Sequence, residues 1–226
     1  MTGIYYLQGS IALILQVFIL NAMLRNGARR YWLLLLYVVS LFLSTAVLML
    51  SMSGSSGWSR DAFRFFWISE VVQQALVYCA IISIIHQHLS SGNTRSPMTR
   101  WLIVGAAAIL LTILTVHKGP SLNAWMTPAS RDLSFVATIL NLVLWTVLLR
   151  DPRRNQRLLV VSGGLGVQLA GSAIGQGLRV LWEVSKAFAT LGNFIGSITY
   201  LLSLYIIFRA FSRPEAPQPE NALSQP

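Results

Sequence analysis

Glu70, Gln74 and Tyr78 recur every four residues within one apolar stretch, with Gln73 beside them, so helical spacing stacks them on one face. Glu70 lies about two turns inside that stretch, where a carboxylate requires a cation, a hydrogen-bonding neighbour or a proton. Further along, the run from Ser162 to Arg179 puts Gly164, Gln168, Gly171, Ser172, Gly175 and Arg179 on a face of almost only small and polar groups. The next stretch repeats the pattern with Gly192, Gly196, Thr199 and Ser203, flanked by Asn193 and Tyr200. Small faces let helix backbones approach closely, so these two stretches are predicted to be packing neighbours. Ser134, Thr138, Asn141 and Trp145 form another stripe, headed by Arg131 and Asp132. Glu70, Gln73, Gln74, Gln176, Arg179 and Asn193 are expected to converge as ligand-binding residues of an outward-facing pocket, with Gln168 and Asn141 as its floor. The competing reading makes the same groups interhelical hydrogen-bonding partners, with Arg179 snorkelling to the interface and paired with Glu183 four residues on.

Other chemistries lack their residues. A retinal Schiff base needs a lysine in the middle of the last helix; Phe188 to Phe208 has none, and Lys186 stands at its mouth. Haem ligation or zinc hydrolysis needs histidines at one depth. His86 and His88 fall at the inner end of one stretch and His117 at the outer end of the next, which keeps them apart. Gly54-Ser55-Ser56-Gly57 matches the Gly-x-Ser-Gly of rhomboid proteases, but no span supplies a histidine base for the serine, and the tetrapeptide reads as a turn. The kinking prolines of the small sugar transporters are missing. Cys79 is the single cysteine and sits in an apolar run, which rules out a disulfide framework or a thiolate metal site. No catalytic residue, metal site or cofactor is expected.

The elements that must hold these residues are membrane spans. With 54% hydrophobic and 11% charged residues over 226 positions, and a mean hydropathy of +0.61, the chain departs from soluble composition, in which roughly a quarter of residues are charged. A spanning helix needs about 20 mostly apolar residues. That length selects Gly3 to Leu24, Tyr31 to Met52, Ala62 to Ile85, Arg100 to Val116, Pro128 to Leu149, Leu158 to Leu181 and Phe188 to Phe208. The fold expected is an all-α, polytopic seven-helix domain over residues 1–213, followed by a proline-rich, disordered cytoplasmic tail over 214–226. Every proline falls at a span start, in a loop or in the tail, and Ser96-Pro97, Thr127-Pro128 and Asp151-Pro152 each read as an N-cap followed by proline at the first helical position.

The 17 Lys and Arg against 7 Asp and Glu, a net charge of +10, read as an orientation signal and not as a nucleic-acid surface. Arg25, Arg29, Arg30, Arg95, Arg100, Arg150, Arg153, Arg154, Arg157, Arg209 and Arg213 gather at one side, and Arg60, Arg64, Lys118, Arg131, Arg179 and Lys186 at the other. The richer side is cytoplasmic by the positive-inside rule, placing the N-terminus outside and the C-terminus inside. Tyr5, Tyr6, Trp58, Trp67, Trp125 and Trp182 fall at the outer interface, and Tyr31, Trp32 and Trp101 at the inner one.

Arg131-Asp132-Leu133-Ser134-Phe135, followed by Ser162-Gly163-Gly164-Leu165-Gly166 and Ala173-Ile174-Gly175-Gln176, resembles the RDLSF and SGGLG…IGQ segments of small uncharacterised bacterial seven-transmembrane proteins. That resemblance covers the last half of the chain and implies no activity. Size and layout are also similar to the seven-span sensor region found ahead of histidine kinases. The function expected is a non-catalytic, multi-pass inner-membrane protein, receptor-like or accessory, with the lipid bilayer around it. Its partner would be a small or lipidic ligand, or another membrane protein, and no nucleic acid. The alternative is a small-solute transporter or channel, for which the glycine run Gly163 to Gly166 is the one place a helix would break.

Overall fold

The computed structural model describes residues 2–26, 31–53, 60–90, 104, 105, 108, 111, 112, 115, 122–150, 156–180 and 185–212. These residues are helical throughout apart from Tyr31 and Ser185, and they form α1 (Thr2–Asn26), α2 (Trp32–Ser53), α3 (Arg60–Ser90), α4 (Leu122–Arg150), α5 (Gln156–Val180) and α6 (Lys186–Ser212). By length and composition α1, α2, α3, α5 and α6 can each cross a membrane. The described positions between α3 and α4, which belong to the predicted span Arg100 to Val116, are also helical, and Thr112 and Thr115 donate back to the carbonyls of Ala108 and Leu111.

One expectation about a helix boundary is corrected. α4 begins at Leu122, upstream of the Thr127-Pro128 pair read as its start. Pro128 therefore falls in the second turn, where it forfeits one backbone bond without ending the helix. The Gly163 to Gly166 run is continuous α-helix, because flanking leucines and valines supply the packing and each glycine weakens a helix by only about 1 kcal/mol. Ser96-Pro97, Asp151-Pro152, Gly54 to Gly57 and the tail 214–226 lie outside the described residues, as do the side chains of His86 and His88; α3 itself runs past both histidines to Ser90. At 31 residues α3 is about 46 Å long, more than the roughly 30 Å of a bilayer core, and so must tilt or project.

Each helix packs on its neighbour in the chain, and α6 returns to α1, so the six close into a ring. The α5–α6 interface is the most extensive, as the paired small faces predict. There a Cβ added at Gly175 would stand 2.9 Å from the carbonyl oxygen of Gly192, and one at Gly192 would stand 2.6 Å from that of Gly175. The backbones touch, leaving no room for a side chain.

Helix directions follow from the contacts. Asn26 at the end of α1 donates through Nδ2 to the carbonyl of Phe211 near the end of α6 (3.0 Å), and Arg157 at the start of α5 donates to the carbonyl of Asn26 (3.1 Å). The ends of α1 and α6 and the start of α5 therefore share one end of the bundle. Contacts from α3 residues 70 and 74 to α5 residues 176 and 172 make α3 antiparallel to α5. Asn141, bonded to Ser162 near the start of α5, makes α4 antiparallel to α5 as well. The neighbours α3 and α4 are thus parallel.

Apolar side chains cover the outside of the ring, with Leu7, Leu50, Phe135 and Phe194 each more than 59% exposed, while Gln16, Gln74, Asn141, Ser162 and Ser203 are buried. Water disfavours that distribution and lipid favours it. At the end where α1 and α6 finish, the core is close-packed by Ile19, Met23, Leu34, Ile85, Leu165, Ile207 and Phe211, all nearly inaccessible.

Asn141 shows how the buried polar groups are satisfied. Its Nδ2 donates to the Ser162 carbonyl (3.0 Å) and its Oδ1 accepts from the Ser162 hydroxyl (3.0 Å). A Cβ on Gly166 would lie 2.7 Å from that Nδ2, so the glycine makes room for the amide. We expect Asn141→Leu and Ser162→Ala each to lower stability by about 1 kcal/mol in mixed-micelle unfolding, with the double variant losing less than the sum. Strictly additive losses would show that the pair is not coupled.

Candidate functional site

The half of the bundle where α1, α3 and α6 begin holds a partly open cavity of ≈ 670 Å³. Among the described residues, its lining comes from five helices and none of it from α4. A second concavity, beside Tyr31 and Trp32, measures ≈ 10 Å³, at the lower limit for one water.

Of the expected site residues, Glu70, Gln73, Gln74, Gln168, Gln176 and Asn193 line this cavity. Asn141 does not: α4 lies outside the lining helices, and its amide is spent on Ser162. The side chain of Arg179 lies outside the described residues. Sequence reasoning overlooked Gln8, Tyr37, Ser44 and Thr45, on α1 and α2.

α3 presents the polar wall. Gln73 Nε2 donates to Ser44 Oγ on α2 (2.6 Å), which anchors one side. Gln74, 8% exposed, directs Nε2 toward Ser172 Oγ on α5 at 3.5 Å. Its Oε1 accepts from no described residue. Gln176 Nε2 lies 3.3 Å from the same Ser172 Oγ and 3.4 Å from Glu70 Oε1, so α5 closes on α3 through long, weak contacts. Leu41, Leu48, Met49, Phe66, Val77 and Leu169 make the remaining wall apolar.

A hydrogen-bonded belt forms the floor. Gln168 donates through Nε2 to the Tyr37 hydroxyl, and its Oε1 accepts from Ser203 (3.2 Å). Gln16 Nε2 donates to the Tyr200 hydroxyl and lies 3.4 Å from Thr45 Oγ1. These bonds tie α1, α2, α5 and α6 together at mid-depth, directly above the apolar plug. Among the described residues, then, the cavity is a pocket in one half of the bundle and not a channel through it. Its floor consists of polar groups bonded to one another, although Gln16 Oε1 there, like Gln74 Oε1 on the α3 wall, accepts from no described residue.

Glu70 is the only formally charged side chain among the described lining residues. The acid, the amides and an aromatic-apolar wall are the features of a small-molecule pocket: mostly apolar surface with a few convergent polar groups. Among the described lining residues, none pairs a nucleophile with a histidine or lysine base. Comparison of the chain with protein-family models, with curated proteins and with solved structures finds no match.

Proposed function

We propose that the chain is a non-catalytic, multi-pass module of the inner membrane that binds a small or lipidic ligand in this half-bundle cavity, entered from the outer side. The observation that carries the proposal is the cavity itself: ≈ 670 Å³, within the range of ligand pockets, lined by polar groups from five helices and floored by a bonded belt over a close-packed plug. A scaffold that only bridged other proteins would have no need of such a space, and a transporter would need a second path or a broken helix at the midplane. The glycine-rich stretch of α5 is unbroken.

The reading includes seven spans, with the N-terminus outside and the C-terminus inside. Its support is the parallel pairing of the neighbours α3 and α4, together with the apolar run Arg100 to Val116 that lies between them in the sequence. Arg25, Arg157 and Arg209 at the plugged end support a cytoplasmic assignment for that end.

The full chain in lipid nanodiscs should gain thermal stability from at least one of four fragments that share a phenethyl body: 2-phenylethylamine, its trimethylammonium analogue, 2-phenylethanol and 3-phenylpropanoate. Proteoliposomes containing it should take up none of them faster than protein-free vesicles. Absence of any stabilisation would contradict the pocket reading, and protein-dependent uptake would favour transport.

A further inference from the structure

The neutral hydrogen-bonding groups that the protein leaves unused inside the cavity indicate the chemistry of what would fill it. The inference rests on reading the cavity as a ligand site: we infer that its ligand is an uncharged polyol, recognised through several hydroxyls, with its carbon body against the apolar wall.

Glu70, Gln176 and Asn193 have partners within the protein, Gln73 is bonded to Ser44, and Gln168 is spent on the floor. Three other lining side chains, on three helices, keep capacity. Gln8 on α1 and Ser197 on α6 make no hydrogen bond with a described residue. Ser197 differs in this from Ser44, Thr45, Ser69 and Thr199, whose hydroxyls all donate to carbonyls of their own helices. Gln74 on α3, 8% exposed, has an Oε1 that accepts from no described residue. Its Nε2 is held by one contact at 3.5 Å, at the limit of a hydrogen bond, so the amide can turn to a better partner.

All three groups are neutral. A carboxamide and a hydroxyl each donate and accept, as does every hydroxyl of a polyol, whereas an ammonium only donates and a carboxylate only accepts. An ion placed among them would lose hydration without gaining an opposite charge from any of the three. They also stand at different depths. Along the helix axes Ser197 is about 4.5 Å above Tyr200 of the floor, Gln74 lies opposite Ser172, about 6 Å above Gln168, and Gln8 is about 12 Å above Gln16. A single hydroxyl reaches one of these groups, and a chain or ring bearing several reaches more. Water displaced from such groups has to be replaced bond for bond, or affinity is lost. Leu41, Leu48 and Met49 on α2 offer surface for the carbon body.

Fragments that differ in hydroxyl count and charge separate these terms in the wild-type full-length protein. They are 2-phenylethanol, the flexible diol 3-phenoxypropane-1,2-diol, phenyl β-D-glucopyranoside, and phenyl β-D-glucuronide, in which a carboxylate replaces a hydroxymethyl group. The better of the two polyols should bind about tenfold more tightly than the alcohol, and the glucuronide more weakly than the glucoside. The double variant Gln8→Leu/Ser197→Ala removes groups bonded to no described residue. It should keep wild-type thermal stability, cut the polyol's advantage to less than about threefold, and leave the alcohol's affinity nearly unchanged. The better polyol compared with its phenyl-free counterpart, glycerol or methyl β-D-glucopyranoside, tells a free polyol, when the two bind alike, from the head of a lipid, when the phenyl group is required; both results uphold the inference. The polyol-to-alcohol ratio in the wild-type protein decides the ligand class whether or not a variant folds. No gain from the alcohol to either polyol, or a preference for the glucuronide or for 2-phenylethylamine, would overturn the inference and leave the pocket standing. Failure of every fragment to bind would overturn the pocket reading as well.

Discussion

Gly175→Leu should abolish the folded bundle. A Cβ at this position would lie 2.9 Å from the carbonyl oxygen of Gly192, and that obstacle is backbone. A flexible side chain could swing away, whereas two helices can relieve the clash only by separating. The α5–α6 interface is the most extensive in the bundle, so the strain is distributed over its largest contact. Overpacking a close interface costs about 1–3 kcal/mol, and leucine here belongs at the upper end of that range or beyond it. Loss of the monodisperse peak in size-exclusion chromatography, or a collapse in thermal stability, is the expected outcome. Gly177→Leu is the control: a Cβ there meets nothing within 4 Å and the residue is exposed, so stability should stay near wild type. A stable Gly175→Leu protein would mean that α5 and α6 do not pack as described.

Gly196→Phe should have the opposite profile, with folding retained and binding lost. Gly196 also belongs to the small face of α6, but it lines the cavity and a Cβ on it meets nothing within 4 Å. The new ring has open volume to occupy, and it occupies the volume a ligand needs. Affinity for whichever phenethyl fragment binds best should fall at least tenfold, about 1.4 kcal/mol, with thermal stability equal to wild type or higher. Gly177→Phe, directed away from the bundle core, should leave affinity unchanged. Equal affinity for the Gly196→Phe and wild-type proteins would place binding elsewhere.

These two glycines also mark how far the sequence could be read. Both lie on faces recognisable as small and polar, and that pattern correctly pairs α5 with α6. It does not say which glycine is filled by a neighbour's backbone and which opens into a space, because that depends on the crossing of two helices and not on either alone. The polar stripe of α3 was legible for a similar reason: a carboxylate and two amides at helical spacing are conspicuous in apolar surroundings. Asn141 was equally conspicuous, yet it satisfies itself on Ser162, 21 residues away, and takes no part in the cavity. Spacing reports that a buried amide needs partners without naming them.

Gln168 was read as floor, but the α1 and α2 members of that floor were missed for a different reason. Gln16 is a lone polar residue between Leu15 and Val17, and Tyr37 and Thr45 sit in the most apolar helix, so none forms a stripe. Yet a single glutamine at membrane depth is costly unless bonded, and that rule applied to α1 would have pointed to Tyr200 or a similar partner. The start of α4 was misread because Thr127-Pro128 has the chemistry of an N-cap. Proline is tolerated in an early turn, and nothing local distinguishes the first turn from the second.

Side-specific labelling of single cysteines tests the central claim, a pocket entered from the outer face and closed at mid-depth. In a Cys79→Ala background, Ser197→Cys would report the cavity wall and Ser203→Cys the fully buried floor itself. A membrane-impermeant thiosulfonate applied outside should modify position 197, more slowly in the presence of whichever phenethyl fragment binds best, and should leave position 203 unmodified from either side. Modification of position 197 from the cytoplasmic face, or of position 203 from any face, would contradict the account.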